Sequence, residues 1–286
     1  MSNPVARLGI PGLFDVHVHF LPENIQAAVW REFDQAGPKI GRPWPIRYRG
    51  SVEERVEQLR SFGVRKFSAL PYAHKPGVAG YLNDWAAVLA AEVPECLRSA
   101  TFYPEPGVGE YVGELIAGGA EIFKLHTQVG EFLLDDPLLL PAWEVLEASA
   151  TPIVVHVGSG PVGNDFTGPE HLERLLRLFP GLRVIVAHLG APEFAEFLDL
   201  AERYPALLLD TTMVFTDFFV PFPDALVPRL APLGDRILYG SDFPNLPYDY
   251  AHQFEGLARL LGRSPGLDEE WLRKVCWDNA TALFDC

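Results

Sequence analysis

The chain has 286 residues, 48% of them hydrophobic and 21% charged, an ordinary globular composition that excludes wholesale disorder and a fibrous protein. Its net charge of −15, with only 23 Lys and Arg, leaves no basic footprint for a nucleic-acid backbone. Acidity of this kind reports mainly on solubility, and a few local cations such as Arg47, Arg49 and Lys124 could still reverse the sign inside one pocket.

No apolar run approaches the roughly 18 to 20 residues of a membrane span, and the start MSNPVARLGIPG lacks the apolar core of a signal peptide, so a cytoplasmic protein is expected. Cys96, Cys276 and Cys286 form no clustered pattern, which suggests neither a disulfide framework nor a thiolate metal site. One domain over 1–286 is expected.

Taken in chain order, β-branched apolar stretches alternate with longer amphipathic ones. Strands are predicted at 13–19, 64–70, 97–103, 120–126, 152–158, 183–189, 206–210 and 236–240. Helical patterns fall between them at 51–63, 80–94, 109–119, 137–150, 169–180, 192–205, 223–234 and 248–263, and a last one covers 268–284. Ser51 with Glu54 has the spacing of a capping box, and Gly63 suits the left-handed residue that closes the same helix. The segment 20–50 is too long for a tight strand-to-helix loop and reads as an excursion of the kind that often serves as a lid.

Eight strand–helix repeats require a parallel sheet, and closing it gives an α/β (β/α)8 TIM barrel with an insertion after strand 1 and an extra C-terminal helix. A doubly wound open sheet is the rival. It is disfavoured by the absence of a GxGxxG or P-loop after any strand, although that absence alone does not exclude it.

In such a barrel chemistry sits at the C-terminal ends of strands, so strand-ending polar residues are the test. Six of the eight histidines pass: His17 and His19 on the first strand, His74 after the second, His126 on the fourth, His156 on the fifth and His188 on the sixth; Asp242 follows the eighth. The two-residue period of a strand puts His17 and His19 on one face, where two imidazoles can share an ion. His156 from another strand and Asp242 could complete a set that suits a divalent metal. A single strand histidine is more often a satisfied core residue than a ligand. The joint pattern is much harder to obtain by accident.

With FDVHVHF at 14–20, KLH at 124–126, PIVVHVG at 152–158, VIVAHLG at 184–190, YGSDFP at 239–244 and WDNATALF at 277–284, the sequence resembles the amidohydrolase superfamily over almost its whole length. It is most similar to the amidohydrolase-related branch that includes aminocarboxymuconate-semialdehyde decarboxylase and pyrone dicarboxylate hydrolase. The resemblance implies His17, His19, His156 and Asp242 as metal ligands and His188 as a catalytic residue that polarises substrate or relays protons; beside water acidified by such an ion, Asp242 is the natural catalytic acid and base. It further implies one divalent ion, with Zn²⁺ first and Mn²⁺, Fe²⁺ or Co²⁺ open. In many relatives a carboxylated strand-four lysine bridges two metals; here Lys124 lies two residues before the strand end, so it is read as an interior or substrate-facing cation and His126 as a substrate contact.

Tyr72 and His74 are further candidates for substrate contact, with solvent exposure as the plain alternative. Asp15 shares the parity of the HxH pair but sits deeper, and is read as satisfying a backbone group more readily than orienting a ligand. Ser159 lacks a GxSxG elbow, and Asn279 reads as a helix cap.

The reaction expected is hydrolysis of an amide, lactone or ester of a small carboxylated molecule by metal-activated water, with nonoxidative decarboxylation of an aromatic or unsaturated acid as the alternative and a non-catalytic metal- or sugar-binding barrel as a third class. The partner expected is a small-molecule substrate, with neither nucleic acid nor membrane, and a homodimer is left open.

Overall fold

A computed structural model describes residues 5, 8–216, 218 and 220–285; Cys286 and two positions of the 213–223 loop lie outside them. Eight strands are formed: β1 (Leu13–Asp15), β2 (Val64–Phe67), β3 (Ser99–Thr101), β4 (Ile122–His126), β5 (Ile153–His156), β6 (Val184–Val186), β7 (Leu208–Asp210) and β8 (Ile237–Leu238). All eight fall inside the predicted stretches, but they are shorter. The chain is compact in two units, one running through Phe67 and resuming at Asp210, the other covering Ser68–Leu209.

In the first unit β1 pairs in parallel with β2, Phe14 opposite Lys66 and Asp15 opposite Phe67. The helix between them, Val52–Ser61, starts with the capping box read from the sequence: Ser51 Oγ accepts from the Glu54 N–H while the Glu54 carboxylate accepts from the Ser51 N–H. Gly63 closes the turn at φ +86°. Beyond Asp15 the chain stays extended but trades its partner. The Val16 N–H donates to the Tyr239 carbonyl, His19 N–H to the Phe243 carbonyl, and Asp242 N–H to the His17 carbonyl. The HxH pair is therefore held against the 239–243 loop past the end of the β1 ladder, which is why β1 stops at Asp15.

The insertion 20–50 is more ordered than an open loop. It holds a helix at Glu23–Gln35 and a short one at Gly37–Ile40 before an extended strap. Helix is missing where 223–234 was predicted to supply it: Asp224–Leu230 and Gly234–Arg236 are 3-10 turns, because Pro228 brings no N–H to an α-helical ladder. The last helix runs over Glu269–Leu283 with a π turn at Lys274–Asp278. Its Val275 carbonyl accepts from the Tyr239 N–H, and Trp277 and Phe284 pack their rings on Phe14. Asn279 does not cap this helix; its amide donates to the carbonyls of Gly234 and Ile237 at the start of β8.

In the second unit the strands run parallel in the order β3-β4-β5-β6-β7, with helices Ala79–Glu92, Val108–Ala117, Leu140–Ser149, Pro169–Leu178 and Phe194–Arg203 in the connections. Ile153–His156 and Val184–Val186 are buried without alternation, as expected of parallel strands covered on both faces. The register sets His126 directly beside His156. Among the described residues no helix is long and apolar enough to cross a membrane.

Candidate metal centre

In the first unit His17, His19 and Asp242 each offer one ligand atom, and these atoms lie within 4.8 Å of one another. His19 Nε2 is 2.9 Å and His17 Nε2 3.7 Å from Asp242 Oδ1. Both imidazoles are buried, while the Asp242 side chain keeps 13% of its exposure.

The tautomer of His17 is fixed by a residue that the sequence reading passed over. Asp210, fully buried at the end of β7, accepts the His17 Nδ1–H at 2.8 Å, which leaves the Nε2 lone pair for an ion. The signal was available, since Asp210 is a strand-ending carboxylate in ALLLD and meets the criterion that selected Asp242. Two buried imidazole nitrogens and a carboxylate oxygen this close, with a carboxylate behind one imidazole, fit a divalent cation of the kind that takes nitrogen and oxygen donors.

Backbone geometry supports the arrangement. Asp242 sits at φ +74°, a conformation that costs a non-glycine residue on the order of 1–3 kcal/mol and persists only where surrounding bonds hold it. Gly240 is required for a different reason: a Cβ there would lie 2.2 Å from Thr212 Oγ1 and 2.9 Å from the His17 Cβ. Asp15 lies beneath the pair with Oδ1 on the His17 N–H and Oδ2 on the Tyr250 hydroxyl, so it does satisfy a backbone group. Burial pushes its carboxyl up to about 7, against hydrogen bonds from Ser241, Tyr250 and His17.

The second unit gathers another group. His126 and His156 stack face to face with centroids 4.0 Å apart and planes 11° apart, the His188 ring meets His156 edge-on at 4.9 Å, and Tyr72 lies 5.5 Å from His126. His156 donates from Nε2 to the Gly160 carbonyl at 3.0 Å, which leaves Nδ1 as its lone-pair nitrogen. His126 is opposite, because its Nδ1 accepts the Val129 N–H and its proton in the neutral form is on Nε2. Burial holds His156 well below the ordinary imidazole value, and Coulombic repulsion from His126, His188 and Lys124 pushes the same way. Lys124 is fully buried, and His188 sits at φ +57°.

His74 is exposed on the loop after β2, where burial and Lys75 lower its pKa. Arg47 pairs with Asp249 and Arg49 with Asp34, both on the surface. Ser159 is tied to Glu193 through both its hydroxyl and its N–H.

The strand-end histidines, the HxH pair and the buried carboxylates describe a metal-dependent barrel enzyme. A family model described as Amidohydrolase matches residues 14–286, and the chain belongs to that family. It is thus an enzyme of the metal-dependent amidohydrolase superfamily.

Among solved structures, an uncharacterised TIM-barrel protein from Bordetella bronchiseptica is similar at 21% identity and TM-score 0.76, covering 96% of this chain and 98% of that one. A 5-carboxyvanillate decarboxylase from Novosphingobium aromaticivorans, solved with manganese and a nitrobenzoic acid, is 14% identical with TM-score 0.69 over 100% of both chains. A probable 2-pyrone-4,6-dicarboxylic acid hydrolase from Acinetobacter baumannii, with citric acid bound, is 13% identical with TM-score 0.62, over 97% of this chain and 100% of that one. At these identities the likeness speaks to fold, and the fold is the α/β TIM barrel; the branch is the one that the sequence motifs resemble. No curated protein matches the chain.

Proposed function

We propose that this protein hydrolyses an amide, lactone or ester bond of a small carboxylated molecule. The observation that carries the reading is the convergence of His17, His19 and Asp242, with Asp210 fixing one imidazole and Asp242 left accessible. His17, His19 and Asp242 would hold the ion, with His156 as the fourth ligand on the strength of the family pattern. A divalent ion bound there supplies Lewis-acid polarisation and acidifies water. Asp242 takes the proton from the attacking water and returns it to the leaving group. His188 donates a hydrogen bond to the oxyanion as it develops. The nitrogen-bearing side chains of Lys124, His126 and His188, with the Tyr72 ring beside His126, favour a substrate that carries a carboxylate. Zn²⁺ suits a histidine-rich donor set, and metal analysis of the purified protein identifies the ion.

Nonoxidative decarboxylation is the second reading, favoured by the likeness to a 5-carboxyvanillate decarboxylase solved with manganese. Metal-loaded protein incubated with lactones, amides and aromatic or unsaturated acids separates the two. Proton release from a lactone or ester, or amine release from an amide, without CO2 supports hydrolysis, and CO2 release from an acid supports decarboxylation. The Asp242→Asn variant is expected to keep its fold and lose most turnover on whichever substrate reacts; turnover at the wild-type rate would remove Asp242 from the chemistry.

A further inference from the structure

We infer that Asn245 is a positioning residue for Asp242, and that the 20–50 segment acts on the metal centre through it. The inference rests on the reading of Asp242 as a metal ligand. Asn245 is buried, with 2% of its surface exposed, and its N–H donates to the Asp242 carbonyl at 2.9 Å, closing a turn over Asp242–Asn245. That turn contains the positive-φ residue, so whatever holds the turn also holds the carboxylate in a backbone conformation it would not adopt unaided.

The turn is gripped from two sides. On the strand side two main-chain bonds hold it: Asp242 N–H to the His17 carbonyl at 2.8 Å and His19 N–H to the Phe243 carbonyl at 2.7 Å. On the other side the grip comes from two tryptophans of the insertion. The Trp30 indole, from helix Glu23–Gln35, donates to Asn245 Oδ1 at 3.2 Å, and the Trp44 indole, from the strap, donates to the Asn245 carbonyl at 2.8 Å. An indole N–H can only donate, so both contacts require oxygens, and Asn245 supplies two from one residue. The Arg47 N–H extends the same seam to the Leu246 carbonyl at 3.0 Å.

A purely packing role for the two tryptophans makes a different prediction from this one. Their rings do pack, Trp44 against Phe33 and Phe218 and Trp30 beneath Arg49 and Arg55. Phenylalanine keeps an aromatic ring but loses the second indole ring together with the donor, so Asn245→Ala, which leaves both tryptophans whole, separates the hydrogen bond from the packing. If the indole donors matter because they pin Asn245, their loss releases the turn and is felt at the ligand while the main-chain grip on the strand side keeps the fold.

The test measures Mn²⁺ affinity of the full chain by titration, reading free Mn²⁺ by electron paramagnetic resonance, alongside the thermal unfolding of the metal-free protein. Trp30→Phe with Trp44→Phe together are expected to weaken Mn²⁺ binding about tenfold, as outer-shell deletions do, while unfolding stays cooperative. Asn245→Ala, which removes only the acceptor for Trp30, is expected to weaken it severalfold and serves should the double variant not fold. Wild-type affinity in both the double variant and Asn245→Ala, in a protein whose Asp242→Asn form has lost Mn²⁺, overturns the positioning role and leaves the metal reading intact. A wild-type protein that takes up no Mn²⁺ overturns the metal reading and this inference with it.

Discussion

Replacing Asp210 by Asn isolates what a buried carboxylate does for the centre. Asp210 accepts from two donors, His17 Nδ1–H through Oδ2 at 2.8 Å and the Thr212 N–H through Oδ1 at 3.1 Å. Asparagine has one oxygen for those two donors, so its NH2 group must face either the imidazole N–H or the backbone N–H. If it faces the imidazole, the His17 proton moves to Nε2 and the ligand lone pair is lost. If it faces Thr212, the bond to His17 survives but is neutral rather than charge-assisted. Loss of an outer-shell partner to a metal-binding histidine costs about 10- to 100-fold in metal affinity, on the order of 1.4–2.7 kcal/mol. Since His17 and Asp210 are almost completely buried, water cannot replace the lost acceptor, and a result near the upper end is expected. Calorimetric titration of metal-free protein with Zn²⁺, with circular dichroism to verify the fold, measures it. An affinity within twofold of wild type would refute the claim that the Asp210 carboxylate strengthens His17 as a ligand.

Gly240→Ala places a methyl group against Thr212 and His17 and is expected to cost about 1–3 kcal/mol in chemical denaturation, with weakened metal binding; unchanged stability would mean that the loop has slack. Chelation should lower the melting temperature, because an ion held at a hundred times its dissociation constant contributes about 2.7 kcal/mol, and a melting temperature indifferent to chelator and to added metal would argue against a folded-state site. Arg174 holds the Asp135 carboxyl below its ordinary value through a hydrogen bond at 2.7 Å. A lowered folded pKa gives stability that is present above the unfolded value of 3.8 and lost as the pH falls through the lowered one, so Arg174→Ala should differ from wild type at neutral pH and converge with it in acid. The gap at pH 7 should stay below about 1 kcal/mol because the pair is partly exposed; urea unfolding at pH 7 and in strong acid checks both the size and the sign.

The eight strands were legible because parallel strands covered on both faces are written as short apolar runs, and the helices between them as longer amphipathic ones. The candidate ligands of the first unit were legible for the same reason: an imidazole or carboxylate ending such a run is out of place unless it has work to do. Asp210 escaped because its evidence is relational. Its partner comes from β1, and nothing in ALLLD names that partner. Asn245 escaped more completely, since it acts largely through main-chain atoms and its contacts are indoles from a segment read as an irregular excursion. In that segment the helix Glu23–Gln35 was hidden between Pro22 and the proline-rich strap, whereas the missing helix at 223–234 shows the reverse error, an apolar pattern that Pro228 does not allow to become α-helical.

The first unit is made of the two ends of the described chain, with all of Ser68–Leu209 inserted between them. During synthesis His17 and His19 emerge before the second unit, and Asp210 and Asp242 follow only after the whole of it has been made. The second unit is continuous and can begin to fold while the first still lacks half of its parts. Until then the two imidazoles are without their carboxylate partners, and the candidate cation site is assembled only with the late return of the chain. An ion bound there would act as a clasp across a very long loop, the situation in which cross-linking removes the most freedom from the unfolded chain.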